Sequence, residues 1–166
     1  PYSSDDGFSI SDFTSIRRDL GNWGDVSKIA DTFRLMADLV INHCSADHSW
    51  FQAYCRSEPD YKDHFIEIKS DQDLSKVTRP RTSPLLRPIQ TDAGVKYVWC
   101  TFSHDQIDLN YANPEVLIKM VRVLAHYLSA GIRVIRLDAI AYLWKDLHTN
   151  CVNLPQTHEV VRVLRS

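Results

Sequence analysis

Two short apolar runs, residues 35–41 and 132–137, constrain the fold of this chain more than any other feature. Each run follows a segment with apolar residues at helical spacing. Each also ends in polar residues, Asn42-His43 after the first and Asp138 after the second. Such runs, alternating with amphipathic helices, are typical of buried parallel strands in α/β proteins. We therefore predict an α/β fold that displays polar side chains at the carboxyl ends of two strands.

The predicted helices flank these strands. The sequence from residue 23 to 33 has apolar residues at helical spacing, and residues 157–164 repeat this pattern. Asn113-Pro114 supplies an N-cap and a first turn for a long amphipathic helix that ends at Gly131. A complete (β/α)8 barrel needs about 250 residues, and this chain has 166. We therefore expect only about three barrel units, that is, a partial TIM barrel.

The middle of the chain interrupts this alternation. From about residue 58 to 101, Pro, Asp, Ser and Thr are scattered with little periodicity. Segments of this length in compact domains are usually functional, and strand-like pieces at 64–68 and 96–102 indicate a small inserted subdomain. The predicted division is 1–57 and 113–166 for the partial barrel and 58–112 for the insertion.

Composition excludes several functional classes. The net charge is −2, so nothing indicates binding to nucleic acid or to an anionic membrane surface. The longest apolar run contains Asp38 and is too short to span a bilayer. Four dispersed cysteines favour a reduced cytoplasmic protein. Because the histidines and cysteines have no CxxC or HxxxH spacing, we predict no metal site.

Three motifs carry a family resemblance. Residues 38–43 (Asp-Leu-Val-Ile-Asn-His), 106–110 (Gln-Ile-Asp-Leu-Asn) and 136–139 (Arg-Leu-Asp-Ala) resemble active-site motifs of the α-amylase superfamily, glycoside hydrolase family 13, in order and spacing. The sucrose-phosphorylase branch, with its glucosylglycerate and sucrose-6-phosphate relatives, is the most similar through residues 4–8, 79–81 and 135–142. The resemblance implies that the two runs are about strands three and four of the barrel, with the insertion after strand three.

This resemblance assigns the catalytic nucleophile to Asp138, which would attack the anomeric carbon and form a covalent glycosyl-enzyme. Arg136 lies two residues earlier on the same strand face, where it would keep Asp138 ionised by charge pairing. A purely structural ion pair is the alternative. For the glucose pocket, the resemblance and the residue types together indicate Asp5, Phe8, His43, Gln106 and Tyr142.

The sequence Arg79-Pro80-Arg81 resembles the loop that supplies the phosphate contact in sucrose phosphorylases, which implies that this loop binds phosphate. A guanidinium binds phosphate with charge-assisted hydrogen bonds, and the proline restrains where the arginines point. Arg81 is the main candidate and Arg79 the second, whereas a solvated basic loop is the alternative. Thr78 departs from the tyrosine of sucrose phosphorylases, which favours relatives with anionic acceptors and makes Arg87 and Lys96 further candidates for the acceptor charge.

The resemblance implies that the family's general acid/base glutamate lies on the next strand, beyond Ser166, and the stabilising aspartate later still. Glu159 falls in a predicted helix and not at a strand end, so it is not assigned the acid role. We therefore predict negligible activity for this segment alone. The parent is predicted to be a retaining phosphorylase that uses an α-glucoside and inorganic phosphate, needs no other cofactor and releases α-glucose 1-phosphate. The alternatives are a hydrolase or transglucosidase of the same fold, and a non-catalytic carbohydrate-binding relative.

Overall fold

A computed structural model describes residues 1–166. No helix combines the length and apolar character needed to cross a bilayer. Short 3-10 turns occur at Asp5–Gly7, Pro59–Tyr61 and Ile140–Tyr142. The strands and helices are, in chain order, β1 Tyr2–Ser4, β2 Ser9–Ile10, α1 Trp23–Ala30, β3 Leu35–Val40, β4 His43–Cys44, α2 Ser49–Cys55, β5 Leu86–Thr91, β6 Gly94–Trp99, β7 Ile107–Asp108, α3 Pro114–Ser129, β8 Ile132–Asp138 and α4 Pro155–Arg165.

Strands β3 and β8 pair in parallel, as predicted. Their register places Asp38 opposite Arg136 and Val40 opposite Asp138. Because neighbouring parallel strands end at the same edge of a sheet, the segments that follow β3 and β8 leave from one edge. His43 and Asp138 therefore come from adjacent strand ends.

Helix α3 connects the two halves of the fold. The Asn113 side chain accepts a hydrogen bond from the Glu115 backbone N–H at 3.0 Å, and the helix then starts at Pro114. Asparagine at the N-cap and proline at the first helical position both stabilise a helix start. Val116 and Met120 on its inner face are fully buried in the main core with β3, β4 and α2.

The inserted segment 58–112 contributes to two buried clusters. Val77, Leu85 and Trp99 form a small one with Cys151, and the rest of its buried apolar residues join the main core. Phe65, Val98 and Leu109 belong to the same buried cluster as Leu39 and Val116. The segment is built on the antiparallel hairpin β5–β6. The predicted strand at 64–68 is wrong in extent, because only isolated bridges at Phe65 and Glu67 occur there. Strand β5 was not predicted, since Pro88 and the polar residues beside it hide its alternation.

Strand β3 is less buried than its apolar sequence predicted. Met36 is 65% exposed, whereas Leu39 and Val40 are buried. No strand of this chain other than β8 pairs with β3, so its amino-terminal half is not covered on both faces. The prediction of a wholly buried strand is therefore wrong for this half.

Gly131, between α3 and β8, is expected to resist substitution. Its φ is +97°, and a Cβ there would lie 2.5 Å from the Cβ of Ala30 at the end of α1. Gly131→Ala combines an unfavourable φ with a close contact, so we expect a loss of about 2–3 kcal/mol in the free energy of unfolding. The shift in the urea denaturation midpoint measures this loss.

Gly94 provides the matched control. Its φ is +108°, but a Cβ would meet nothing within 4 Å. We expect Gly94→Ala to lose only about 1 kcal/mol, the cost of the φ alone. Equal losses at the two positions would contradict the role of the Ala30 contact.

Candidate functional site

A cavity of about 400 Å³ opens where the segments following β3 and β8 meet. Seven of the nine site residues predicted from the sequence line it; Arg136 and Arg79 do not. Three further residues, Asp6, Phe102 and Ala139, were not predicted. The complete lining consists of Asp5, Asp6, Phe8, His43, Arg81, Phe102, Gln106, Asp138, Ala139 and Tyr142.

The first side of the cavity is formed by polar side chains. Gln106 is buried, and its Nε2 donates to Asp5 Oδ2 at 2.8 Å. The same Nε2 lies 3.1 Å from His43 Nε2. The insertion therefore supplies the group that orients Asp5, which comes from the amino-terminal loop.

His43 is a neutral donor in this arrangement. Its Nδ1 lies 3.2 Å from the amide nitrogen of Asn42, which can only donate, so the ring proton is assigned to Nε2. The Nε2–H donates to the Phe8 carbonyl at 2.9 Å. Burial lowers the pKa of His43 despite the nearby charge of Asp108. His43 thus holds the Phe8 backbone, and a sugar hydroxyl would have to share its N–H.

The second side of the cavity is formed by Asp138 and two aromatic rings. Asp138 is the last residue of β8, and Ala139 follows with a left-handed φ of 57°. This turn brings Tyr142 to the cavity, where its ring meets Phe102 edge-on at a centroid distance of 5.3 Å. Phe102 also packs against His43 at 5.3 Å. The Asp138 carboxylate therefore shares the cavity with the packed rings of Phe102 and Tyr142.

The ion pair expected between Arg136 and Asp138 is replaced by a different one. Arg136 Nε donates to Asp38 Oδ1, and the two residues lie opposite each other in the parallel register. The hydrogen bond to Asp38, followed by a smaller effect of Asp138, raises the pKa of Arg136. Side chains directly across two strands are closer than those displaced along them, so Asp38 is preferred. Both members of the pair are about half exposed.

Arg79 and Arg81, the two arginines of the basic loop, point to different places. Arg81 lines the cavity. Arg79 instead donates to the carbonyl of Ser83 within its own loop. Arg87 bonds the carbonyl of His104, and Lys96 pairs with Glu67, so neither lines the cavity. The structure therefore supports only Arg81 as a cavity cation and corrects the prediction for Arg79.

Behind the cavity lies a buried ion pair that the sequence did not indicate. Lys145 Nζ is 2.5 Å from Asp108 Oδ2, with side-chain exposures of 6% and 0%. Asp108 also accepts from the Asn42 amide at 3.0 Å and from the Thr101 hydroxyl at 2.6 Å. Lys145 donates to Asn42 Oδ1 at 3.2 Å and to the Tyr142 carbonyl. This network joins the end of β3, the insertion and the loop after β8.

Phe102 and Lys145 were not predicted as site residues, and the sequence carries a signal for only one of them. Phe102 ends the predicted strand-like piece 96–102, so its position at a strand end was a usable signal. Lys145 lies in a segment without periodicity, and only the fold brings it to Asp108. No group of three or more His, Cys, Asp or Glu side chains could hold a metal ion.

The arrangement suits a small polyhydroxylated ligand. Sugar pockets combine polar groups that bind hydroxyls with aromatic surfaces that contact the apolar faces of the ring. Asp5 and Asp6 supply carboxylates on one side, whereas Phe102 and Tyr142 supply rings on the other. Asp138 accepts no hydrogen bond from the protein in this structure, so its oxygens are free to approach a ligand carbon.

Comparison with known proteins gives consistent results. The family model described as the catalytic domain of alpha amylase matches residues 2–166. The chain is 51% identical to a glucosylglycerate phosphorylase of Spirochaeta thermophila, covering 100% of the chain and 28% of that protein. It is 46% identical to a glucosylglycerate phosphorylase of Escherichia coli, covering 100% of the chain and 30% of that protein. The chain thus spans less than a third of these relatives.

A solved structure agrees with the same fold. The crystal structure of sucrose 6F-phosphate phosphorylase from Thermoanaerobacter thermosaccharolyticum superposes with a TM-score of 0.90 at 27% sequence identity. The match covers 98% of this chain and 36% of that one. The (β/α)-barrel type of architecture predicted from the sequence is therefore confirmed at the level of part of a barrel.

Proposed function

This chain belongs to the family of the α-amylase catalytic domain, and on that premise we propose that the protein containing it is a retaining α-glucosyl phosphorylase. Asp138 attacks the anomeric carbon of an α-glucoside from the face opposite the leaving group and forms a β-linked glucosyl-enzyme. Inorganic phosphate then attacks that carbon from the opposite face and displaces Asp138. The product, α-glucose 1-phosphate, has the configuration of the substrate.

The observation that carries this proposal is a single cavity that brings Asp138 together with groups from three separated segments. Asp5 and Phe8 come from the amino-terminal loop, Gln106 comes from the insertion, and Tyr142 follows β8. The distances in sequence are large, so chance proximity is a poor explanation. Relatives of 46% and 51% identity named as glucosylglycerate phosphorylases support the same reaction class.

The remaining catalytic groups are assigned to other parts of the longer protein. Retaining chemistry needs a second carboxyl group as acid/base. Glu159 lies in α4 and pairs with Arg162 on the surface, and it does not line the cavity. We propose that β3 and β8 are about the third and fourth barrel strands, that residues 58–112 are the insertion between them, and that residues 1–166 alone show no turnover.

We propose that Arg81 binds phosphate when phosphate is the attacking group. In the reverse reaction, Arg81 lies near the negative charge of the acceptor, such as the carboxylate of glycerate. A guanidinium provides several fixed donors that match either a phosphate or a carboxylate. Among the four basic residues considered from the sequence, Arg81 is the one that lines the cavity.

The test measures α-glucose 1-phosphate formed by the full-length protein. Glucosylglycerate, sucrose and sucrose 6-phosphate are each supplied with and without phosphate. We expect phosphate-dependent product, with glucosylglycerate giving the highest kcat/KM. Free glucose released at the same rate without phosphate would indicate the hydrolase alternative, and no turnover of any donor would support a non-catalytic relative.

Replacing Arg81 by alanine is expected to raise the KM for phosphate about 100-fold, because a charge-assisted contact to an anion is lost in a partly enclosed site. Steady-state kinetics with phosphate varied at saturating glucosyl donor measure this change. Arg79→Ala removes the same charge two residues away, outside the cavity, and should change the phosphate KM less than about threefold. Equal effects of the two substitutions would contradict a specific role for Arg81.

A further inference from the structure

A second carboxylate, Asp105, lies beside the cavity without lining it. Its Oδ2 accepts hydrogen bonds from the hydroxyls of Ser3 and Ser4, each at 2.6 Å. Its Oδ1 accepts from the Ser45 hydroxyl and the Ala46 backbone N–H, each at 3.0 Å. An ionised carboxylate can accept all four bonds, since it offers only acceptor sites. Asp105 thus ties the amino-terminal strand β1 to the segment that follows β4.

The ionised form of Asp105 is favoured where it lies. Partial burial raises its pKa, but the hydrogen bonds from Ser3, Ser4, Ala46 and Ser45 outweigh burial, so the net shift is downward. Every neighbour that it contacts is a donor. A protonated or amide side chain would therefore lose at least one of these bonds.

The segment held by Asp105 leads into a strained turn. Asp5, Asp6 and Gly7 follow Ser4 directly, with φ values of 57°, 48° and 109°. Left-handed backbone is unfavourable for residues with a Cβ and persists where the surroundings impose it. Two consecutive aspartates in this conformation need an external restraint. The bonds from Ser3 and Ser4 to Asp105 provide one immediately before the turn.

Asp105 and its neighbour Gln106 act on the same loop at two points. Gln106 holds the Asp5 carboxylate through a 2.8 Å hydrogen bond. Asp105 holds the backbone just before Asp5 through the two serines. The inserted segment thereby determines both the direction of the Asp5 side chain and the path of its main chain.

We propose that Asp105 is a positioning residue that fixes the loop carrying Asp5 and thereby sets the affinity of the cavity for the glucosyl group. This inference rests on the proposed function, because it takes Asp5 as a contact to the glucosyl donor. Asp105 touches no reacting atom. Its effect should therefore appear in the binding of the donor and not in the binding of phosphate.

The test uses Asp105→Asn in the full-length protein, together with the double variant Ser3→Ala/Ser4→Ala. Asp47→Asn is the matched control, because Asp47 is an exposed aspartate close to Ser45 whose carboxylate accepts no hydrogen bond. We expect a rise of about tenfold in the donor KM for Asp105→Asn, with the phosphate KM within about twofold of the wild type. The serine double variant should give the same change, and Asp47→Asn none.

Combining the variants makes the test sharper. If Asp105 acts through the two serines, the triple variant should be no worse than Asp105→Asn alone, since one interaction cannot be lost twice. Additive effects, an unchanged donor KM, or equal rises in both KM values with a lowered Tm would each overturn the proposal. A wild-type protein that consumes the donor without phosphate would contradict the phosphorylase proposal instead, and the donor KM comparison would still decide the role of Asp105.

Discussion

Asp138→Asn is expected to lower kcat for glucosyl transfer by about 10⁴-fold, because an amide cannot serve as the nucleophile that forms the glucosyl-enzyme. The substitution preserves the shape of a side chain that accepts no hydrogen bond from the protein, so the fold should be unaffected. Phosphate-dependent release of α-glucose 1-phosphate from the full-length protein measures the change. Asp71→Asn, an exposed aspartate outside the cavity, is the control and should retain full activity.

A smaller side chain extends this test of the nucleophile. Asp138→Gly leaves space beside the anomeric carbon that a small external anion can enter. Azide would then attack from the side that Asp138 occupied, and an activated α-glucoside should yield β-glucosyl azide. Formation of that inverted product would identify the position of the nucleophile. Undiminished activity of Asp138→Asn would contradict the assignment outright, as would an α-configured azide product.

The parts of the fold that follow from local pattern could be predicted from the sequence. Strand β8 and helix α3 have periodic apolar residues, and Asn113-Pro114 marks a helix start by mechanisms that act within a few residues. The positions of His43 and Asp138 at neighbouring strand ends followed from the parallel arrangement. The prediction that Asp5 and Gln106 line the same cavity depended on the family resemblance, because no local rule relates residues about a hundred positions apart.

The contacts expected for Arg136 and Arg79 differ from those in the structure, because the partner of a charged side chain depends on how separate elements are placed. Arg136 and Asp138 share a strand face, but the register of β3 and β8 places Asp38 directly opposite Arg136. Arg79 and Arg81 have the same chemistry, and only the loop conformation sends one to the cavity and the other to the Ser83 carbonyl. Sequence spacing therefore identified the charged groups but not their pairs.

The buried pair of Lys145 and Asp108 is the clearest case of a partner chosen by the fold, and Lys145→Met should be strongly destabilising. Methionine keeps an unbranched apolar side chain but leaves Asp108 as an unpaired buried carboxylate. Breaking a buried ion pair from one side costs about 3–5 kcal/mol. We expect a loss of this size in the free energy of unfolding, measured from the urea denaturation midpoint of the full-length protein. Lys62→Met, at an exposed lysine without an ion pair, should change it by less than about 0.5 kcal/mol.

Removing both charges distinguishes the cost of an unpaired carboxylate from the loss of packing. In the double variant Lys145→Met/Asp108→Asn, the buried carboxylate is replaced by a neutral amide. In the unmodified protein the Thr101 backbone N–H bonds Asp108 Oδ1 and the Thr101 hydroxyl bonds Oδ2, and the single amide oxygen can keep one of these two bonds. The double variant should therefore be more stable than Lys145→Met alone. If it is instead less stable, the Asp108 carboxylate stabilises the fold through the bonds that it accepts from Asn42 and Thr101 even without the ammonium. In that case an unpaired carboxylate does not explain the loss of stability in Lys145→Met.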